Sequence, residues 1–485
     1  MRDPYFMRSR AAASKSVPLL TGLAMVLTGS LAQAQAPQPV PPPPVEVPPP
    51  ARAMSISEAL TYAHEHQPLI HAGMSRVAAR MAEATIPSGQ WLPTVAVTAQ
   101  LYGMTTNNTT GTYLSTQFMD VPRIGGTTAT SQSSANLTGY PATLVGAGLL
   151  QEVFDFGRIG AQRAAADALV TVEKHRADAA RLEVDFGVEE AYFAVLAAKA
   201  IIVASDEAYN RSRVHRDMAK RGVDSGLRSP IELTRAEADL ARFDVGRIKA
   251  RGGLALAQAV LAAAIGSADA AIDTSGEAPL PSEMPTIAQA VQMVEARDPL
   301  LAQALTQLKA AEERTRAVGA ELRPDLSLTA TLTGRAGGAP PSGAGQTPAG
   351  NGWLPDVPNW DIGLVLSWPL FDGVVAARRD AARASEQIRR DEIDVAREQE
   401  VAHVREAYVA VGVARSALVA LDNAVLAARA NYDQADARFR AGIGNAVELA
   451  DAEAVRTDAE IQRALGQFEL AQARAAFGRA IAEGL

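Results

Sequence analysis

Residues 404–439 read VREAYVAVGVARSALVALDNAVLAARANYDQADARF. Within them Val404, Ala407, Val411, Ala414, Leu418, Leu421, Val425, Ala428, Tyr432, Ala435 and Phe439 recur at alternating intervals of three and four residues. That spacing draws an apolar stripe along one side of a helix that needs a partner helix, so it predicts coiled-coil packing. Alanine at many of these positions lets the axes approach closely. After a Gly-rich turn the stripe resumes with Val447, Ala450, Ala454, Thr457, Ile461, Ala464, Phe468, Ala471 and Ala475. The pair predicts a helical hairpin, 372–440 and 446–482. At ~1.5 Å per residue the first arm is about 100 Å long, which describes a rod and not a globule.

Working back toward the N-terminus, the periodicity changes to two. Leu326, Leu328, Ala330 and Leu332 oppose Asp325, Ser327, Thr329 and Thr331, and Ile362, Leu364, Leu366 and Trp368 line one side of a second segment. These are strands with one apolar and one polar face. Between them lies a Gly/Pro-rich loop, 335–359. A helix from about 288 to 321 precedes the first strand, ended by Pro324.

The whole pattern occurs twice. Residues 56–103 align with 287–334 at an offset of 231, placing Pro68 on Pro299 and Pro93 on Pro324. A second block matches at an offset of 216, with Gly157 on Gly373, Gly226 on Gly442 and Glu232-Leu233 on Glu448-Leu449. A repeat of this kind sets the fold. The first copy predicts a helix over 57–89, strands at 94–103 and 142–153 around a polar loop (104–141), and a hairpin of helices 155–221 and 230–265. Ser205, Ser212 and Arg216 interrupt its stripe. Asp155 and Asp372 stand where the long helices begin and are candidate N-caps. The expected organisation is therefore a signal peptide (1–34), a Pro-rich spacer (35–53), a first repeat (54–275), a linker (276–285) and a second repeat (286–485).

The signal peptide is expected from Arg2, Arg8, Arg10 and Lys15, an apolar stretch over 17–32 and the small-x-small site Ala32-Gln33-Ala34. Beyond it the sequence shows no unbroken apolar run of ~18 residues, so membrane entry is expected through strands. Four strands of about 10 residues suit a tilted membrane barrel but are too few to close one, since known barrels start at about 8. An open edge cannot face lipid, which requires oligomerisation. Trp91, Trp360 and Trp368 lie at or beside strands and fit interfacial aromatic belts, and Trp353 falls in the second loop.

The chain has 485 residues, no cysteine and a formal charge of -8. There is no thiol for a disulfide, a thiolate metal site or a lipid, and no cationic excess for nucleic acid. His64, His66 and His71 cluster, but their repeat counterparts are Glu295, Arg297 and Ala302 and the spacing matches no standard metal set. No nucleophile elbow, phosphate loop or dinucleotide fingerprint is present, so no enzyme and no cofactor is expected.

Several motifs, in this order and repeated after a signal peptide, resemble the TolC-like outer-membrane efflux protein family. They are the opening ISEAL (56–60), the LP and RP breaks (92–93 and 323–324) and the junctions FDFG (154–157) and LFDG (370–373). The hairpins GLRSPIELTRAEADL (226–240) and GIGNAVELADAEAV (442–455) complete the set. The resemblance implies a mainly α fold: a coiled-coil helical barrel topped by a transmembrane β-barrel that a homotrimer completes with four strands per protomer. It implies an exit duct in the bacterial outer membrane with a periplasmic extension, serving a tripartite efflux pump or type I secretion. The implied partners are a periplasmic adaptor (membrane fusion protein), an inner-membrane pump and outer-membrane lipid. The hairpin tips, with Gly222, Gly226, Pro230, Gly442 and Asn445, are then the adaptor-docking end, and Glu448 and Asp451 fall on the acidic ring of a periplasmic gate. Two departures stand out. Gly444 occupies the place of an arginine in the gate network, and Phe439 that of a tyrosine. The first hairpin has Glu232 but Arg235, so the ring comes from one hairpin type. Read from the residues alone, Glu448 and Asp451 also fit a solvated helix start favoured by the helix dipole. The dominance of helix motivates one alternative, a periplasmic coiled-coil adaptor or structural protein without a pore.

Overall fold

Residues 52–105, 114–115, 120–121, 139–269, 272–276, 284–337 and 357–483 are described by the structure, a computed structural model. The expected signal peptide, most of the spacer, Trp353 and much of both predicted loops lie outside these residues. In chain order the first half contains β1 (Arg52–Met54), α1 (Ile56–His66), α2 (Pro68–Glu83), α3 (Ile86–Gly89), β2 (Thr94–Thr105), β3 (Leu114–Ser115), β4 (Asp120–Val121), β5 (Gly139–Phe154), α4 (Arg158–Asp224), α5 (Pro230–Ala264) and β6 (Ile272–Thr274). The second half contains α6 (Ile287–Arg297), α7 (Pro299–Ala320), β7 (Asp325–Gly337), β8 (Val357–Ser367), α8 (Gly373–Arg440) and α9 (Ala446–Ala480). The fold is mainly α with a small sheet.

The long helices α4 and α8 have 67 and 68 residues, about 100 Å each at ~1.5 Å per residue. Each is covered by shorter helices laid end to end. Along α4, contacts run antiparallel from Gln90–Gln162 through Arg80–Glu173 to His64–Asp185, and α5 takes over with Arg251–Asp206. Along α8 the same sequence is Glu321–Arg378, Gln307–Arg389 and Glu295–Arg397, followed by Asp422–Arg463 and Arg429–Glu460 from α9. The α8 stripe is buried where expected, at Val404, Val411, Val425, Ala428, Tyr432, Ala435 and Phe439.

The single opening helices expected at 57–89 and 288–321 are each broken. Gln67 (ψ 120°) and Asp298 (ψ 124°) are extended because a proline follows each. The breaks are used. Gln67 Nε2 donates to the Ala264 carbonyl at the end of α5 (2.8 Å), and the buried Asp298 carboxylate accepts from Leu301 N (2.7 Å), capping α7. Both opening helices start with a capping box, Ser55 with Glu58 and Thr286 with Gln289. Arg52 and Ala53, read as the end of the spacer, and Met54, read as the start of the first repeat, form a strand that pairs in parallel with Ile272–Thr274. Asp155 is not the N-cap of α4. Gly157 is, at φ 97°, while Asp155 Oδ1 accepts from Gly157 N (3.0 Å) and its Oδ2 from Ile159 N. Asp372 caps α8 as expected. Ser205 and Ser212 do not interrupt the α4 stripe. Both are buried among Ala204 and Ala208, where small side chains admit a close helix neighbour.

The main sheet has the order β2-β5-β7-β8, all antiparallel, and its strands reach further into the predicted loops than expected. Its faces are inverted relative to a water-soluble sheet. Thr329, Thr331 and Thr333 are buried, and Thr331 donates to Asp361. On the other face Val97, Leu332, Ile362, Leu364 and Leu366 are all exposed. β2 and β8 are edge strands with no strand beyond them among the described residues. One further difference concerns α8, which contains a stretch long and apolar enough by composition to cross a membrane. It packs on α9 and leaves Val409, Val413, Val419 and Leu426 exposed on the isolated protomer.

Candidate functional site at the hairpin tips

Both hairpins turn through the same motif. In the first, Leu227 and Arg228 amides donate to the Gly222 carbonyl (2.9 and 3.1 Å). In the second, Ile443 and Gly444 amides donate to the Arg438 carbonyl (3.1 and 2.9 Å). Gly226 and Gly442 supply the left-handed residue in each, at φ 71° and 77°. Pro230 opens α5, where its missing N–H costs nothing, and the Asn445 side chain accepts from Val447 N (2.5 Å) to cap α9.

Glu448 and Asp451 are both exposed. Glu448 lies 3.6 Å from Arg438 Nη1, and Glu232, its counterpart, is held by Arg228 at 2.8 Å. Phe439 is buried with Tyr432, Ala435, Leu449 and Ala452. Gly444 cannot carry a side chain in this turn, because a Cβ would lie 2.7 Å from Phe439 N and 2.8 Å from the Arg438 carbonyl carbon. Trp360 stands on the exposed sheet face opposite Leu332, Trp368 lies just past β8 and Trp91 just before β2.

A second constellation lies behind the tips. Arg211 Nε of α4 donates to both oxygens of Glu453 on α9, and Thr457 donates to the same carboxylate. Glu460 is held by Arg429 (2.9 Å) and Arg456 (3.2 Å). Tyr432 bonds His215 at 3.0 Å, beneath the guanidinium of Arg456. Burial pushes the Glu453 carboxyl up against the pull of Arg211, and pushes the Tyr432 hydroxyl to about 12. Burial also lowers His215, opposed by Asp436. The early α9 stripe therefore differs from the expected one. Leu449, Ala452, Glu453 and Glu460 are buried, and Val447 is exposed. An apolar-only reading skips carboxylates, so only the arginines at matching heights on α4 and α8 could have signalled this.

Higher on the rod, α4 and α9 border a cavity of about 800 Å³ with Phe186, Phe193, Phe468, Glu189 and Arg474 in its wall. Burial, then Asp185 and Glu483, push Glu189 up to about 7. The three clustered histidines go to separate partners: His64 to Asp185, His66 to the Tyr62 carbonyl and His71 to the Glu65 carbonyl.

The family model of the outer membrane efflux protein matches residues 59–267 and 290–483, two segments corresponding to the two halves. The chain belongs to the outer membrane efflux protein family. Its structural likeness agrees. The Campylobacter jejuni CmeC outer membrane channel superposes with a TM-score of 0.68 at 16% identity, covering 89% of this chain and 86% of that one. VceC, an outer membrane protein of Vibrio cholerae, gives 0.67 at 17%, covering 88% and 95%. The open state of the Neisseria gonorrhoeae MtrE outer membrane channel gives 0.65 at 20%, covering 89% of each. No curated protein matches the chain. As a member of the outer membrane efflux protein family, the protein is an outer-membrane transport channel, the exit duct of an efflux or secretion system. Membership favours that role over a poreless periplasmic coiled coil.

Proposed function

We propose that three copies pool their sheets into one closed barrel above a shared tunnel of long helices, with the hairpin tips as the gated periplasmic end. The observation that carries this is the inverted sheet: polar threonines buried on one face, leucine, isoleucine and valine bare on the other, and edge strands with no strand beyond them among the described residues. Lipid on the bare face and a copy of the same sheet at each edge satisfy all three features at once. Trp360 and Trp368 are eight residues apart, ~26 Å along a strand at ~3.3 Å per residue and ~20 Å across the membrane at a tilt of ~40°, which is near the height of an apolar band between aromatic girdles. The exposed Val409, Val413, Val419 and Leu426 supply apolar surface for neighbouring helices in such an assembly.

The tips then face a periplasmic adaptor joined to an inner-membrane pump, with Gly222, Gly226, Pro230, Gly442 and Asn445 shaping the docking turns. Three copies of Glu448 and Asp451 ring the constriction and favour cations. Reconstitution into planar lipid bilayers tests the reading. Cation-selective conductance from a detergent-stable trimer is expected, with selectivity reduced by combining Glu448→Gln with Asp451→Asn. A stable monomer that forms no pore overturns it.

A further inference from the structure

The two turns are one motif with its contents exchanged. Residue 222 corresponds to 438 and residue 228 to 444. The first turn has Gly222 and Arg228, the second Arg438 and Gly444. A Cβ on Gly222 would fall 2.6 Å from Arg228 Cδ, so the arginine stem fills the space a side chain there would need. At these two positions each turn carries one arginine, and the two do different things. Arg438 stays with Glu448 of its own hairpin, half exposed. Arg228 reaches across to the other hairpin. Its Nη2 donates to the Phe439 carbonyl (3.1 Å) and its guanidinium carbon lies 3.8 Å from the centre of the buried Phe439 ring, while Nη1 stays on Glu232 (2.8 Å).

We infer that Arg228 is the latch that holds the tip of the first hairpin to the tip of the second, and so a positioning residue for the closed end of the duct. Its attachments to the second hairpin are a ring face and the Phe439 carbonyl at the end of α8, which also accepts from Gly442 N in the turn (3.1 Å) and has a second lone pair for the guanidinium. A planar guanidinium can stack on the one while donating in-plane to the other and to Glu232; a lysine ammonium cannot do all three. The same geometry explains how Gly444 is tolerated. The second turn supplies the ring and the carbonyl, and the first turn supplies the cation.

The inference rests on the tips being the gate, so two measurements are needed. Hydrogen exchange of the purified trimer reads the latch without requiring a pore. In Arg228→Ala, the amides of Ile443 and Gly444 should exchange about tenfold faster, the effect of losing roughly 1.4 kcal/mol, within the range of a partly desolvated cation–π contact. Arg228→Lys should fall between. Acceleration confined to residues 222–232 would reduce Arg228 to a local turn-stabilising role and overturn the latch. In bilayers, Arg228→Ala and Phe439→Leu should each raise the conductance of the resting channel, and the double variant should raise it no further. Additive effects, or resting conductance unchanged in Arg228→Ala, also overturn it. A wild-type protein without any pore would sink the duct and leave the exchange result to decide the latch.

Discussion

Arg211 Nε donates to both carboxylate oxygens of Glu453, at 2.9 and 3.1 Å, across the boundary between the two halves of the chain. Glu453 is 2% exposed, so this charge pair is a core contact. Removing one member strands the other: Arg211→Met should destabilise the protomer by about 3 kcal/mol, and Glu453→Met by a similar amount. The double substitution should cost clearly less than the sum. Unfolding midpoints in detergent read the cycle, and strict additivity would show that the pair is not coupled.

The bare sheet face should reject charge. Ile362→Arg should destabilise the inserted protein by about 2–4 kcal/mol, the cost of arginine near the middle of a lipid-facing strand. Thr329→Ser, on the buried face, should be nearly silent. Equal tolerance of both, measured as the yield of heat-resistant trimer in membranes, would contradict the assignment of faces.

Gly444→Ala should damage the second turn although the residue has no unusual φ requirement. The added carbon meets backbone atoms at 2.7 and 2.8 Å, which no rotamer relieves. A loss of about 1–3 kcal/mol is expected from such overpacking, more than the ~1 kcal/mol of Gly442→Ala at its positive φ. The order of the two losses in thermal unfolding is the check.

Glu189 should make stability fall as pH rises. Its ordinary value is 4.5 and burial lifts it to about 7 in the folded chain. Between those values the folded state holds a proton that the unfolded state has lost, so stability is fully present below about pH 4.5 and declines until about pH 7. Glu189→Gln should remove that decline and stabilise the protein at pH 8 by on the order of 1 kcal/mol, once solvent screening is allowed for. Identical pH profiles of wild type and variant would refute it.

Much of the architecture was legible because it is written in periodicity. The stripe ending at Phe439, the alternation at 326–332 and the glycines of both turns already marked the long helical hairpins and the strands between them. The breaks at Gln67 and Asp298 were visible as prolines yet read through, since a helix can restart at once with proline in its first turn. The buried Glu453 and Glu460 were not legible, because a carboxylate enters a core only when arginines from other helices meet it, and that pairing is tertiary. The contact between Arg228 and Phe439 escaped for the same reason. Each residue looks ordinary within its own hairpin.

If three copies share one barrel as proposed, the outer rims of β2 and β8, which no strand covers among the described residues, also constrain how the finished object comes into being. A solitary copy arriving at the bilayer has no acceptable resting place there, because its rim amides would be stranded in hydrocarbon. Insertion and association must therefore coincide. Pore number should then climb more steeply than export rate when export is slow, and copies that fail to meet companions should remain open to periplasmic proteolysis.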